Sequence, residues 1–203
     1  MKDADQAIAQ LVLIGNAPLR CLVGLGINPA EIVNDKWVEF GNCLLSVNWR
    51  CPEAIQILVP TNHRDTFVAA LVDNGAPHSD SNQWDIVRIF SGILDHREMN
   101  PKNLPLELGL EELIALDKGC YPGQEIHARM ESRVAIARCL VSLRSSDLIP
   151  EGKSKVDNIG SVTVTDACQF NGGSIALALI PNAAAEIDSI TFGNGVTAKV
   201  QSI

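Results

Sequence analysis

The sequence is short of aromatic residues, of positive charge and of long apolar runs. Only 4% of its 203 residues are aromatic, and the formal net charge is −8. No stretch approaches the roughly eighteen consecutive apolar residues that a membrane-spanning helix needs. An acidic balance also argues against broad binding to a phosphate backbone, which requires a basic face. We therefore expect no membrane span and no direct binding to nucleic acid.

Cysteine and histidine do not occur at metal-ligand spacings. The six cysteines are Cys21, Cys43, Cys51, Cys120, Cys139 and Cys168, and no two of them form a Cys-x-x-Cys pair. The four histidines are isolated in the sequence. The pattern predicts neither a zinc or iron–sulfur site nor a disulfide framework, and favours a reducing compartment. The acidic N-terminus has no apolar run typical of a signal peptide, so we expect a cytoplasmic protein, or one of an organelle matrix or stroma if a targeting segment is missing from this chain.

The first half of the chain alternates between strand and helix patterns. Strands are predicted at 10–14, 42–47 and 54–59. Helices are predicted from Ala17 to near Gly24 or Gly26, from about His63 to Asn74-Gly75, and at 84–90. This order predicts an α+β layer with helices on one face of a mostly antiparallel sheet.

The pattern changes after Met130, and the domain boundary is predicted near Ser132 to Ala137. Short strand patterns occur at 137–144, 160–165, 174–180, 189–192 and 196–202, with no helical pattern between them. We interpret this part as a small antiparallel β-barrel. The predicted domains are therefore 1–134 and 135–203, and Asp166 is expected to cap a turn after the strand Val162–Thr165.

One segment concentrates the reactive groups of the chain: Lys118-Gly119-Cys120-Tyr121-Pro122-Gly123-Gln124-Glu125. A helical pattern with Leu110, Leu113 and Ile114 precedes it, and another helical pattern follows to Met130. Proline suits the first helical position, and an acidic or amide side chain suits the first turn. The two glycines allow positive φ or close approach of a ligand to the backbone. The segment is therefore predicted to be a turn that opens a helix.

Cys120 is the candidate nucleophile of this segment. It precedes the predicted helix N-terminus and lies two residues from Lys118, and both features favour the thiolate form. The alternative is a small buried core residue, which is the most frequent environment of a free cysteine.

The segment resembles the Lys-Gly-Cys-Tyr-x-Gly-Gln-Glu signature of the YgfZ family of folate-binding proteins, which are relatives of the glycine cleavage T-protein, an aminomethyltransferase. The flanks at 103–110 and 128–130 also match this family. The resemblance implies a T-protein-like α+β domain followed by a C-terminal β-barrel. Family members ordinarily carry a further N-terminal portion, so the resemblance implies that this chain is a fragment, a record with a misplaced start or one piece of a split gene.

The resemblance also implies a cofactor, tetrahydrofolate or a derivative, and a set of residues that bind it. The implied binding residues are Lys118, Gly119, Tyr121, Gly123, Gln124, Glu125 and Arg129, with Cys120 as the candidate thiolate. The residues alone leave two roles open for each of three side chains. Glu125 either accepts hydrogen bonds from the N–H edge of a pterin or caps a helix, and Tyr121 either stacks on the pterin or fills the core. Lys118 either pairs with a folate carboxylate or is solvated. Residues 117–144 carry a net charge of +2, which favours an anionic ligand. The cations are Lys118, Arg129, Arg133, Arg138 and Arg144.

Three functions remain open at this point. The resemblance implies a tetrahydrofolate-binding accessory protein for iron–sulfur cluster assembly or repair, with effects on tRNA modification that pass through iron–sulfur enzymes. The second hypothesis is a folate-dependent aminomethyltransferase, although no complete transferase site is recognisable, so enzymatic activity is left open. The third is a truncated chain that folds without binding ligand. Expected partners are folate, iron–sulfur proteins and a further chain that associates with the face left by the absent N-terminal portion.

Overall fold

The computed structural model describes residues 6–15, 17–33, 36–48, 50–115, 118–125 and 136–203. The chain divides into two compact units, Met1–Asp80 and Ser81–Ile203. The candidate segment 118–125 belongs to the second unit. The predicted domain boundary near residue 134 falls among residues outside the described ones and stays a prediction.

The N-terminal unit is a four-stranded antiparallel sheet with two α-helices. Its strands follow the order β1-β4-β3-β2. The elements are β1 (Ile8–Ile14), α1 (Ala17–Gly24), β2 (Val38–Phe40), β3 (Cys43–Asn48), β4 (Cys51–Pro60) and α2 (Arg64–Asp73), with short 3-10 turns at Pro29–Glu31 and Thr61–His63.

The core of this unit lies on one face of the sheet. Alternate strand residues point to the same face, so Leu11, Ile57 and Leu45 form one cross-strand row. Ile57 and Leu45 are fully buried, and Leu22 of α1 and Phe67 of α2 pack into the same cluster. Each such side chain stabilises the fold by about 1.5–3 kcal/mol when fully buried.

The predicted end of α2 is confirmed. The helix ends at Asp73, and Gly75 follows with φ +94°. Its N–H donates to the carbonyl of Val72 at 2.9 Å, and that of Ala76 donates to Leu71 at 3.0 Å. Glycine at this position satisfies the last helical carbonyls without the steric cost that a Cβ atom would add.

The second unit is built on a six-stranded antiparallel sheet that curls into half a barrel, in the order β6-β7-β8-β5-β10-β9. Helix α3 (Ser81–Phe90) and 3-10 turns at Pro105–Leu108 and Glu111–Leu113 precede the sheet. The strands are β5 (Arg138–Ser145), β6 (Gly152–Val156), β7 (Gly160–Phe170), β8 (Gly173–Pro181), β9 (Ser189–Thr191) and β10 (Thr197–Ser202), with a 3-10 turn at Asn182–Ala184.

Strand β8 organises this unit because both of its faces are buried. Ile175, Leu177 and Leu179 face a cluster that contains Ile89 of α3 and Leu108. The alternate residues face the interior of the curled sheet, and they are Ala176, Ala178 and Ile180. Because a strand that is covered on both faces has apolar residues at consecutive positions, its sequence is a continuous apolar run, as at 174–180.

The α+β class with antiparallel sheets, including a curled C-terminal sheet, is confirmed. Two strands were not predicted, β2 and β6; the first has only three residues and the second carries two lysines. The helical pattern through Leu110, Leu113 and Ile114 is wrong as an α-helix, because the chain forms only the 3-10 turn Glu111–Leu113 there. Asp166 does not cap a turn either, since β7 continues through it to Phe170.

Candidate functional site

The signature segment folds as a bend and a turn that open a helix. Residues 118–119 form the bend, 122–123 the turn, and helical structure begins at Gln124. The N–H of Gln124 donates to the carbonyl of Tyr121 at 3.2 Å, and its side-chain amide donates to the carbonyl of Lys118 at 3.5 Å. The predicted turn is thus present, with Pro122 two residues ahead of the helix rather than inside it. The predicted continuation to Met130 and the predicted site residue Arg129 lie outside the described residues.

The two glycines of the segment differ in role. Gly123 has φ +87°, a conformation that other residues adopt only under strain. Gly119 does not have positive φ, and a Cβ atom added there would meet no atom of the described chain within 4 Å. Gly123 is therefore required by the turn, whereas the backbone conformation at Gly119 does not require glycine.

The segment displays its ionisable and nucleophilic groups to solvent. Lys118, Cys120 and Glu125 are all exposed, while Tyr121 and Gln124 are half-buried. Because Cys120 is exposed, its interpretation as a core residue is wrong for the described structure. The geometry brings a thiol, an ammonium and a carboxylate within eight residues on a surface that solutes can reach.

Lys118 and Tyr121 form a cation–π pair. The Lys118 Nζ lies 4.9 Å from the centre of the Tyr121 ring. Such a contact contributes about 0.5–1 kcal/mol at an exposed site, and it covers one face of the ring. The hydroxyl of Tyr121 is buried and has no hydrogen-bond partner in the described part of the chain.

Two of the cations that were expected to attract an anionic ligand have other partners. Arg138 makes a bidentate ion pair with buried Glu107, with 2.9 Å between Nε and Oε1 and 2.6 Å between Nη2 and Oε2. The hydrogen bond to Glu107, together with its charge, raises the pKa of Arg138 against the opposing effect of burial. The guanidinium of Arg144 lies 5.5 Å from the centre of the Phe170 ring. Arg129 and Arg133 lie outside the described residues. Of the five cations expected to attract an anionic ligand, Lys118 is the one that the described structure shows exposed within the signature segment.

No structural role was predicted for Glu107 from the sequence, although the local sequence contains a pattern that indicates one. Its Oε2 accepts a hydrogen bond at 3.1 Å from the N–H of Leu104, immediately before the 3-10 turn that begins with Pro105. A proline at the first position of a turn with glutamate two residues later is typical of a capped N-terminus. The pairing with Arg138, 31 residues away, has no such signal.

A second group of charges in this unit is buried, and no sequence pattern indicated it. Arg88 and Glu98 have no exposed surface, and Arg88 Nη1 donates to Glu98 Oε2 at 2.9 Å. Arg88 Nη2 donates to Asp166, which also pairs with Arg97. Asp166 lies where the register between β7 and β8 shifts, so an irregularity of the strand presents its carboxylate to the two arginines. We call this group the Arg88 cluster, and its members are Arg88, Arg97, Asp85, Asp95, Glu98 and Asp166.

The other thiols differ from Cys120 in their environment. Cys21, Cys43 and Cys51 are buried, while Cys139 and Cys168 are half-buried. Burial, together with the nearby carboxylates of Asp166 and Asp85, raises the pKa of Cys168 to about 11, against the lowering effect of Arg88. Burial also raises the pKa of Cys139. Among the described cysteines, Cys120 is the exposed one.

No group of three or more histidine, cysteine, aspartate or glutamate side chains in the described residues has an arrangement that would hold a metal ion. No helix in the same part of the chain is long and apolar enough to cross a membrane. An open cleft of about 600 Å³ lies beside the β7–β8 turn, and no residue of the signature segment lines it.

Comparisons with known proteins place these features in a family, although no protein-family model matches the chain. The chain is 31% identical over 157 residues to the tRNA-modifying protein YgfZ of Edwardsiella ictaluri, a match that covers 72% of this chain and 47% of that protein. It is also 31% identical over 138 residues to a chloroplastic protein of Arabidopsis thaliana that is provisionally named a transferase, covering 66% of this chain and 32% of the relative. The chain thus spans half or less of the length of these relatives.

The fold has a solved counterpart in the glycine cleavage system aminomethyltransferase T from Bartonella henselae. The TM-score is 0.78 at 18% identity, and the match covers 97% of this chain and 59% of that one. The likeness establishes the architecture of both units. Together with the signature segment, the two relatives show that the chain belongs to the YgfZ-like family.

Proposed function

We propose that this chain binds tetrahydrofolate, or a derivative of it, at the segment 118–125. The observation that carries the proposal is the exposure of Lys118, Cys120 and Glu125 on a turn whose tyrosine hydroxyl is buried and has no partner among the described residues. The fold of an aminomethyltransferase and the relationship to a tRNA-modifying protein support a folate-related role.

The residues of the segment fit the chemistry of a folate. Lys118 supplies an ammonium for a carboxylate of the glutamate tail, and Glu125 supplies an acceptor for the N–H edge of the pterin. The open space at Gly119 permits a flat ring to approach the backbone. When bound, the folate would supply one-carbon or redox chemistry at its ring nitrogens; the residues described here bind and orient it.

We propose further that the folate-bound chain supports the assembly or repair of iron–sulfur clusters, and thereby the tRNA modification that iron–sulfur enzymes carry out. Cys120 is the residue that we assign to this role, as a thiol nucleophile or redox group, because it is exposed within the signature segment. The acidic net charge of −8 favours action on protein clients rather than on tRNA itself. In cells that lack the protein, the wild-type chain should restore the activity of a tRNA-modifying iron–sulfur enzyme, and Cys120→Ser should not. Equal rescue by the two would contradict the role of the thiol.

A folate-dependent aminomethyl transfer is the second candidate. The likeness to an aminomethyltransferase structure and the provisional name of the Arabidopsis relative favour it. Such a reaction needs a carboxylate beside the folate to move protons, and Glu125 is the carboxylate that the described segment offers. Formation of methylenetetrahydrofolate from an aminomethyl donor by the purified chain would favour this candidate over the accessory role.

Calorimetry with tetrahydrofolate tests the binding proposal on the chain as it exists. We expect Lys118→Ala and Glu125→Gln each to weaken binding about tenfold or more, because each removes a charge-assisted hydrogen bond worth about 1.5–3 kcal/mol. Lys153→Ala and Glu151→Gln are matched controls, since both residues are exposed in the same unit outside the segment. Absence of binding by the folded wild-type chain would contradict the proposal for this chain. Binding that the two signature variants leave unchanged would show that the segment is not the site.

We also propose that the chain associates with a second copy of itself through β1. This strand lies at one end of its sheet and has seven uncharged residues that are exposed or only partly buried. The other terminal strands of the two described sheets are better protected, since β2 and β9 have three residues each and β6 carries Lys153 and Lys155. Two β1 strands can pair antiparallel without opposing like charges.

Sedimentation velocity tests this association. We expect the wild-type chain to form dimers and Val12→Lys to be monomeric, while Ser154→Lys on β6 should sediment like the wild type. A monomeric wild-type chain would contradict the proposal.

We propose a location in the cytoplasm or, as an alternative that the relationship to a chloroplastic protein supports, in an organelle stroma. Fractionation of cells that express the native gene tests this assignment.

A further inference from the structure

We infer that the hydroxyl of Tyr121 is a hydrogen-bond donor reserved for the ligand, and that this residue contributes its hydroxyl rather than its ring face to binding. The inference rests on the proposed function and deepens it. It assigns to Tyr121 a carbonyl or carboxylate oxygen of the folate as its partner.

The first observation is the state of the hydroxyl itself. The oxygen is buried, and no hydrogen bond reaches it in the described part of the chain. A phenolic hydroxyl both donates and accepts, and buried hydroxyls are normally paired because desolvation without a partner is unfavourable. A buried hydroxyl that has no partner among the described residues, in a segment whose ionisable groups are exposed, therefore has a free donor that a ligand can use.

The second observation concerns the ring. Lys118 Nζ lies 4.9 Å from the ring centre, so an ammonium already occupies one of the two faces of the ring. The ring itself is half-buried. Stacking on that face would require the cation to leave, whereas a hydrogen bond at the ring edge leaves the cation–π pair intact.

The two observations also define the chemistry of the acceptor. Lys118 brings a positive charge next to the phenol, and the side chain of Gln124 is committed to the carbonyl of Lys118. A hydroxyl beside an ammonium favours an electron-rich oxygen that carries partial or full negative charge. Folate offers such oxygens on the pterin ring and on its glutamate tail.

The inference predicts opposite effects of one substitution on the free and the bound protein. Tyr121→Phe removes an unpaired buried hydroxyl from the free chain, so the melting temperature should rise by about 2–4 °C. The same substitution should weaken tetrahydrofolate binding by about three- to tenfold, since one neutral hydrogen bond is lost. A tyrosine with a purely structural role would lower the melting temperature on substitution and leave the dissociation constant unchanged.

The experiment uses differential scanning fluorimetry without ligand and calorimetry with tetrahydrofolate on wild type, Tyr121→Phe and Tyr121→Leu. The leucine variant also removes the ring; if the hydroxyl carries the effect, both variants weaken binding to a similar degree. Because the chain contains a single tyrosine, ¹³C labelling at tyrosine Cζ gives one NMR signal that should shift when tetrahydrofolate is added. Tyr121→Phe with a lowered melting temperature would overturn the inference, as would unchanged affinity of Tyr121→Phe in a wild type that binds. Failure of the wild type to bind tetrahydrofolate would instead overturn the proposed function and the inference together.

Discussion

The signature segment and the Arg88 cluster contain similar chemical groups in opposite environments. In the segment, Lys118 and Glu125 are exposed on a turn. In the cluster, Arg88 and Glu98 are fully buried and paired with each other. Both lie in the second unit of the chain.

The difference shows that burial and partners decide what a charge does, rather than its residue type. A buried ion pair is held by its own partners, and removal of one partner leaves the other charge uncompensated. An exposed ion is solvated, so it contributes little to folding and remains available to a ligand. We therefore propose that the cluster stabilises the fold and that the segment serves the proposed function, and the following substitutions test that division.

The largest effect is expected from Arg88→Met. The substitution leaves the carboxylates of Glu98 and Asp166 buried without their principal cation, and this should lower the free energy of unfolding by about 3–5 kcal/mol. Thermal and urea unfolding measure the loss. Arg64→Met is the matched control, because Arg64 is half-exposed and lies 3.7 Å from the exposed carboxylate of Asp65, so its loss should cost less than about 1 kcal/mol. Equal effects of the two substitutions would break the comparison.

A smaller loss is expected from Glu107→Gln. The amide cannot replace the charged bidentate contact with Arg138, whose side chain is 30% exposed, so the free energy of unfolding should fall by about 1–3 kcal/mol. Urea unfolding of this variant beside the exposed control Glu151→Gln measures the difference. If Glu107→Gln also abolished tetrahydrofolate binding without a loss of stability, Glu107 would belong to the site rather than to the scaffold.

The Cys168 thiol should make stability fall at alkaline pH. Its pKa is about 11 in the folded chain, against an ordinary value of 9.0. A raised pKa means that the folded state holds the proton more tightly, so this contribution is complete below pH 9 and is lost as the pH rises towards 11. Urea unfolding at several pH values should show a smaller loss between pH 9 and 11 for Cys168→Ala than for the wild type. Parallel pH profiles would contradict the assignment.

The smallest effect on stability is expected from Cys120→Ser, within about 0.5 kcal/mol, because the side chain is exposed. Its effect on reactivity should be large. With a thiol reagent at pH 8, the native wild type should show one fast thiol, and the other five cysteines should react fully only after unfolding. The Cys120→Ser variant should lack the fast phase. Retention of that phase would place the reactive thiol elsewhere.

Several elements of the fold could be predicted from local pattern alone. The alternation at 54–59 predicts β4, the apolar run at 174–180 predicts β8, and Asn74-Gly75 predicts the end of α2. Each prediction is confirmed because side-chain periodicity and glycine conformation act over a few residues. The turn that opens a helix at Gln124 is predicted for the same reason.

The elements that were missed depend on contacts between distant residues. Strand β2 has only three residues and forms because it pairs with β3. Residues 110–114 have apolar side chains at helical spacing, but in the structure Leu110 packs against the sheet of the second unit. Asp166 was predicted to cap a turn, whereas its carboxylate pairs with Arg88, which lies 78 residues earlier in the sequence. Short segments have too little local preference to resist such tertiary contacts.

The sequence by itself determined the α+β class, the antiparallel strands of the second half and the identity of the signature segment, since these depend on periodicity and on residue type. Only the tertiary structure decided which groups in and near that segment are free to act: Cys120 is exposed, the Tyr121 hydroxyl has no partner in the described part of the chain, and Arg138, outside the segment, is bound to Glu107. The reason is physical, because the availability of a charge, thiol or hydroxyl is fixed by desolvation and by partners, and those partners are brought together by folding from positions far apart in the chain.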